Sequence, residues 1–416
     1  ASLTPSTRDW LYDAQQLDGS WGAELEYYHD RVICTLAAIN ALAATRTNAH
    51  DLQRLERGIK YLERATSYLS RDPTETVGFE LLAPSLLSVG QRLGVDLGGV
   101  ARNLEPYEIV RRQKMAFIPP AMLYSPQATV PHSFEFVGFD ELDRAATAQL
   151  RLANGSIHSS PAATAFCEIA GVGSAAGQDY LSSTLKYYQG TVPTLAPFES
   201  GEIIWALLHL YLAEDLEPVL QVARPLLDRI KSGWGSEGIG LAQGFPADFD
   251  NTAAAYMLLS ALSHAPDPAV LRKYEEEDHF RCYPFERNIS LDVHIHLVMT
   301  LRQVPDFPGR DDMLLKAINV LSRYLELDFI TDKWHVSPYY STAHAVIALS
   351  GLADHLIENQ IYWLRHTQQA DGHWTFYPQF PPAAVEETAC ALLSLLTVQK
   401  HNGLPPTIQS SEGWIT

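Results

Sequence analysis

Apolar residues recur at helical spacing along almost the whole chain, in RVICTLAAINALAA, GEIIWALLHLYLAE, NTAAAYMLLSAL, LDVHIHLVMTL, AHAVIALSGLADHLIENQIYWLRHT and VEETACALLSLLTVQ. No stretch sustains the period-2 alternation of a half-buried strand, so the expected fold class is all-α. Several of these helices are apolar nearly all round, which places them inside a double layer of helices. One seven-residue phrase occurs twice, QQLDGSW from Gln15 to Trp21 and QQADGHW from Gln368 to Trp374. In each, a Gly stands where a chain leaving a helix needs a positive φ, and the Asp before it favours the same turn. The Trp that follows has a ring to bury and an N–H to satisfy. A weaker copy, RLANGSIH, runs from Arg151 to His158. Repeated punctuation of this kind predicts paired helices that close into two α/α barrels.

At 416 residues the chain exceeds most single cores, and two domains are expected. The Gly- and Pro-interrupted text YYQGTVPTLAPFE sets the boundary, dividing residues 1–188 from 189–416. A crevice between the two barrels is the expected place for a ligand. Acidic residues outnumber basic ones by 49 to 30, for a net charge of -19. That balance excludes nucleic acid as a partner and requires a local basic pocket for any anionic ligand. Cys34, Cys167, Cys282 and Cys390 are too scattered for a zinc module or a disulfide framework, and they read as buried thiols in a reducing compartment. The apolar run VICTLAAINALAA falls short of the roughly 20 residues that cross a bilayer. With no transmembrane segment, the expected localisation is cytoplasmic.

The phrase richest in chemistry is FPADFDNTAAAYMLL, from Phe245 to Leu259. Asp248 and Asp250 stand one residue apart just before an Ala-rich helix, with Asn251 and Thr252 beside them. Helix capping is the ordinary use of an Asp in this place. Two carboxylates in apolar surroundings open another use, because mutual repulsion and burial keep a carboxyl protonated. A neutral carboxylic acid in a dry pocket is a proton donor.

Here the sequence resembles the class II terpene cyclases, whose mark is Asp-x-Asp-Asp followed by Thr and small residues. The resemblance extends through QQLDGSWG, VGFELLAPSLL, NGSIHSSPAATAF, GTVPTLAPFESGEIIWAL and DHFRCYPFERN, in the order seen in copalyl diphosphate synthases. The tail, DKWHVSPYYSTAHAVIAL with QQADGHWTFYP, is similar to the class II part of fungal bifunctional diterpene synthases. The resemblance implies a γ-like barrel over residues 1–188, a β-like barrel over 189–416 that carries the acid motif, and cyclisation of geranylgeranyl diphosphate begun by protonation. Farnesyl diphosphate as substrate, and a degenerate domain that binds prenyl diphosphate without turnover, stay open as alternatives. Outside the family, so does a zinc-binding prenyltransferase-type α/α barrel.

By its place in the motif Asp250 is the implied donor and Asp248 the residue that sets its geometry. Asn251 departs from the family's third Asp, and as an amide it would hydrogen-bond to Asp250 without ionising. His132 in VPHSFE matches a family histidine that ends the reaction as base, and Thr194 stands where its partner Asn is usual. Lys114 and Lys333 match stretches that contact diphosphate. Trp334, Tyr339, Tyr340, Phe285 and Tyr283 are the aromatic candidates for a wall that shields the cation. Mg2+ is the expected cofactor, bridging phosphate oxygens with few protein carboxylates; Glu75 and Glu80, with Asp72, are the only acids near the corresponding segment. Class I chemistry is not expected, since RDDMLLK lacks the third carboxylate and Ala255 takes the place of a Ser. A class I or prenyltransferase domain would then be a covalently linked partner outside this chain. The histidines of DVHIH cannot share a metal, because His294 and His296 point to opposite sides of a helix.

Overall fold

The computed structural model describes residues 5–45, 48–139, 142–213, 220–262, 265–284, 286–381 and 383–402. Among these residues the regular structure is helical, joined by turns with isolated β-bridges. The chain divides into two compact units, Ala1–Pro197 and Phe198–Thr416. The division lies inside the Gly- and Pro-rich stretch, beyond residue 188, because two hydrogen bonds tie that stretch back. The backbone N–H of Ala196 donates to the Ser159 carbonyl at 2.8 Å, and the Tyr180 hydroxyl donates to the Ala196 carbonyl at 2.6 Å.

In the second unit, helices Glu199–Leu212, Phe249–Leu262, Leu291–Gln303, Pro338–Leu349 and Ala383–Asn402 pack each against the next. Every residue from Leu291 to Leu301 is buried, and so is every residue of Pro338–Leu349. Arg310–Ser322, by contrast, buries one stripe, Met313, Leu314, Ala317, Val320 and Leu321, and forms part of an outer layer. This inner and outer arrangement is the double layer of an α/α barrel. In the first unit Tyr28–Ala44 packs on Ala49–Ala65 and Phe79–Arg92, and Phe79–Arg92 on Gly98–Phe117. Their core contains Trp21, Leu36, Ile39, Leu62 and Phe79.

The repeated phrase has the same structure in both units. Gly19 and Gly372 hold φ of 97° and 94°. Gln15 Nε2 donates to the Gly19 carbonyl at 3.0 Å, and Gln368 Nε2 to that of Gly372 at 2.9 Å. Trp21 Nε1 donates to the Leu11 carbonyl and Trp374 Nε1 to that of Leu364. Each Trp is then clasped by a Thr of the following helix, Thr35 or Thr388, whose hydroxyl accepts from the Trp backbone N–H and donates to its carbonyl. The same two-bond clasp joins Thr252 to Ile239 and Thr342 to Ile330. Thr252 of the acid phrase is therefore a repeat element, which fixes where its helix begins.

Candidate active site

Asp248 performs the capping. Its Oδ1 accepts the backbone N–H of Asn251 at 2.7 Å, and its Oδ2 accepts Asn251 Nδ2 at 2.8 Å. It is 1% exposed, and burial pushes its carboxyl up to about 7 against the pull of those donors. The Tyr283 hydroxyl also bonds to it. Asn251 therefore serves Asp248, where the sequence had suggested a bond to Asp250. The geometry of Asp250 is set elsewhere.

Asp250, in the first turn of Phe249–Leu262, points Oδ1 at Nδ1 of His296, 2.7 Å away on Leu291–Gln303. Among the described residues no hydrogen bond engages its Oδ2. His296 Nε2 lies 3.0 Å from His344 Nδ1 on Pro338–Leu349. The Trp205 ring sits 5.1 Å from that of His296, and the Tyr340 ring lies 4.1 Å from His344 and stacks on His335 at 3.7 Å. His209 is 5.3 Å from His344, ring to ring. Burial lowers His335 to about 4 and depresses His344 well below the usual imidazole range. The acid thus sits among imidazoles and aromatic rings, with His335 and His344 held neutral by burial.

One turn before His296, Asp292 is buried among the described residues with Ser341 as its polar neighbour, and His335 Nε2 stands 3.6 Å from its Oδ2. Burial, then Asp332, raises its carboxyl far above the usual range. Asp332 accepts the backbone N–H groups of Leu291 and Trp334 and the Ser290 hydroxyl. It orders the start of the helix that carries His296. His294, facing away from His296, accepts the Phe280 N–H instead.

The other candidates separate. Tyr340 is at the acid, but Tyr339 turns into the core, where its hydroxyl donates to Thr367 and its ring packs on Trp363. Trp334 is 40% exposed and meets Tyr283 edge to face. Phe285 lies outside the described residues. Lys333, placed by the sequence in a diphosphate-contacting stretch, is held by Glu286 Oε2 at 2.5 Å and the Asn288 carbonyl at 2.6 Å.

In the first unit Lys114 and Glu80 pair with each other at 2.6 Å, and Asp72 caps Tyr28–Ala44 through the N–H groups of Tyr28 and His29. Glu75 lies in the turn before Phe79–Arg92. Among the described residues no group of three or more His, Cys, Asp or Glu could hold a metal ion. The described residues therefore offer no carboxylate and imidazole cage for a resident metal. His132 Nδ1 lies 3.0 Å from the His158 carbonyl, and burial keeps the ring neutral. Donation from Nδ1 to that carbonyl leaves Nε2 able to accept a proton. Thr194 is exposed and makes no hydrogen bond to it.

No family model matches the chain. The Type B diterpene cyclase of Mycobacterium tuberculosis is 31% identical over 430 residues, covering 100% of this chain and 85% of that protein. The chain belongs to the class II diterpene cyclases. The cyclase is also 32% identical to the syn-copalyl diphosphate synthase of Oryza sativa subsp. japonica, over 80% of its own length and 44% of the relative's. It is 26% identical to the bifunctional premutilin synthase of Clitopilus passeckerianus, over 99% and 46%. It therefore spans less than half of these plant and fungal relatives. Among solved structures, ent-copalyl diphosphate synthase from Streptomyces platensis superposes with a TM-score of 0.67 at 23% identity, over 95% of the cyclase and 91% of that chain. The Arabidopsis thaliana ent-copalyl diphosphate synthase gives 0.67 at 25%, over 82% and 52%. The enzyme is of copalyl diphosphate synthase type.

Sequence reasoning missed His296, His344, His209, Trp205 and Asp292. A signal was present: Trp205 and His209, Asp292 and His296, Tyr340 and His344 are each spaced four residues apart on a helix. Each inner helix thus turns one polar and aromatic stripe toward the acid.

Proposed function

We propose that the cyclase protonates the terminal alkene of geranylgeranyl diphosphate from Asp250 and retains the diphosphate in a bicyclic product. The observation that carries this is the divided environment of one carboxyl. Oδ1 of Asp250 is held by His296, while Oδ2 has no hydrogen-bond partner among the described residues and the side chain keeps some access. An alkene is a weak base, so its donor must work where water cannot level it. The alkene π pair takes the proton from Oδ2, leaving a carboxylate and a tertiary cation. The next alkene closes on that cation, and a second closure gives the bicycle. Trp205 and Tyr340 offer the growing cation π faces without a strong nucleophile.

Loss of a proton to a base ends the reaction, and no C–O bond to the diphosphate is broken. His132 is the base in this reading. Lys114 binds the diphosphate by exchanging Glu80 for phosphate oxygens, and Mg2+ arrives with the substrate rather than residing in a protein cage. The experiment is incubation with geranylgeranyl diphosphate and Mg2+, phosphatase treatment, and chromatography with mass detection. A bicyclic alcohol that falls at least about a thousandfold in Asp250→Ala supports the reading. Recovery of linear geranylgeraniol alone, with farnesyl diphosphate also uncyclised, overturns it.

A further inference from the structure

We infer that His158 and Ser159 are positioning residues for the step that ends the reaction, their left-handed backbone aiming one carbonyl at His132 and the next at the segment that carries Thr194. The inference rests on the cyclisation reading, with His132 as its base.

Ile157, His158, Ser159 and Ser160 form a tight turn, closed by the Ser160 N–H donating to the Ile157 carbonyl at 2.8 Å. Both central residues have positive φ, 45° at His158 and 53° at Ser159, the signature of a type I′ turn. Asn-Gly is the favoured pair there, and His-Ser adopts the same backbone under strain. The turn from Asp332 to His335 has the same length and the same closing bond, yet neither Lys333 nor Trp334 has a positive φ. A turn of this span therefore does not need the strained form, and strain kept where a relaxed form exists points to a use.

The use shows in where the polar groups go. The Ile157 N–H donates to Thr164 Oγ1 at 2.8 Å and the Ser159 N–H to Ser156 Oγ at 3.1 Å, while the Ser160 carbonyl accepts the Thr164 hydroxyl at 2.7 Å. The two central carbonyls reach outside the turn. That of His158 lies 3.0 Å from Nδ1 of His132, and that of Ser159 accepts the Ala196 N–H at 2.8 Å, two residues after Thr194. Both partners are pinned from behind. Ser85 and Arg111 hold the Glu135 and Phe136 carbonyls of Val130–Val137, the segment that carries His132, and the Tyr180 hydroxyl holds the Ala196 carbonyl. The side chains of His158 and Ser159 are buried, and Ser159 Oγ has no hydrogen-bond partner among the described residues. What the turn contributes is its backbone.

A carbonyl only accepts, so Nδ1 of His132 carries the proton and Nε2 the lone pair. When the final cation gives up a proton, the C–H electron pair becomes the new alkene and Nε2 takes the proton. The imidazolium so formed tightens its Nδ1 bond to the His158 carbonyl. Reversing φ in the turn swings that carbonyl away, and the ring can then hold its proton on Nε2, where it cannot act as base. The cation waits until a water oxygen adds to it and releases a proton to solvent, which gives a hydroxylated bicycle in place of the alkene. His158 and Ser159 act through His132 and do not touch substrate.

The test compares the wild type with the double variant His158→Asn/Ser159→Gly, which keeps the turn and removes both side chains, and with His158→Val, whose branched Cβ resists positive φ. Products from geranylgeranyl diphosphate and Mg2+ are counted after phosphatase treatment as bicyclic mono-ol, from the alkene, and diol, from water capture. Nitrogen NMR of histidine-labelled protein reads the His132 tautomer, with its signals assigned by their loss in His132→Phe. The expected result is an Nδ1 proton on His132 and the same mono-ol to diol ratio in the wild type and the double variant. In His158→Val the ratio should fall at least about tenfold while substrate is still cyclised. A wild-type proton on Nε2 overturns the proposal whatever the variants do. A double variant whose ratio falls about tenfold shows that the side chains rather than the turn are needed, and overturns it even where His158→Val does not fold. A folded His158→Val with the wild-type ratio overturns it too. If the wild type forms no bicycle, the cyclisation reading has failed, and the proposal falls with it even where Nδ1 carries the proton.

Discussion

Two carboxylates one residue apart do different work because their side chains leave the helix start in different directions. Asp248 turns back to the N–H and the amide of Asn251, and Asp250 turns out to His296. The buried Asp248 titrates near 7, against an ordinary value of about 3.9. Because the folded pKa is raised, the stability linked to it is fully present below about pH 4 and is lost as pH rises through about 7. Asp248→Asn removes this loss and keeps a good cap. The new amide also has a partner waiting, since Asn251 Oδ1 is buried without a hydrogen bond among the described residues and can turn to accept. Thermal melts should therefore coincide near pH 4, with the variant more stable at pH 8 by roughly 1–3 kcal/mol. A variant that melts lower at both pH values would show that the raised carboxyl is not a stability cost. Asn251→Asp adds a second buried carboxylate against Asp248 and should destabilise by about 1–3 kcal/mol at pH 8, less at pH 5. Chemical denaturation at the two pH values checks it.

Among the elements, the inner helices are specified by turns more than by their own text. The Thr clasp satisfies a buried N–H and a buried carbonyl where each turn meets the next helix. Thr388→Val keeps the volume and removes both bonds, and should cost about 2–4 kcal/mol, read as an earlier denaturant midpoint, with the chemistry of Asp250 untouched. Gly19→Ala meets two obstacles: a φ of 97°, and the Arg57 carbonyl oxygen 2.6 Å from the added Cβ. It should lower stability by more than about 1 kcal/mol. Much of this level was legible. The Asp-Gly turn, the Trp to be buried and the all-round apolar helices are local chemistry, and each stands where its pattern placed it. The site was less legible, because His296 and His344 are separated from the partners they meet by 46 and 48 residues. Neighbouring Tyr339 and Tyr340 show why local text could not sort them. One residue of helix turns a side chain by about 100°, and that rotation sends Tyr339 to Thr367 and Tyr340 to the acid.

For the whole molecule, the net charge of -19 opposes the approach of a diphosphate, and the lysines assigned to it are already paired with Glu80 and Glu286. Raising salt from low to physiological strength should therefore raise kcat/KM for geranylgeranyl diphosphate by screening the repulsion. A steep fall would instead show that an unshielded basic pocket steers the substrate. Lys114→Gln should raise KM more than it lowers kcat. It also leaves Glu80 buried without its cation, at a cost of about 3–5 kcal/mol in stability. By itself the amino-acid sequence determined the helical class, the doubled turn phrase and the pair of carboxylates at a helix start, since these depend on backbone propensity, periodicity and residues within a few positions. Only the tertiary structure decided which carboxylate caps and which faces His296, which lysines are already neutralised, and which imidazoles line up behind the acid. Those outcomes depend on packing between helices dozens of residues apart, where direction and burial, rather than spacing, determine what a side chain can do.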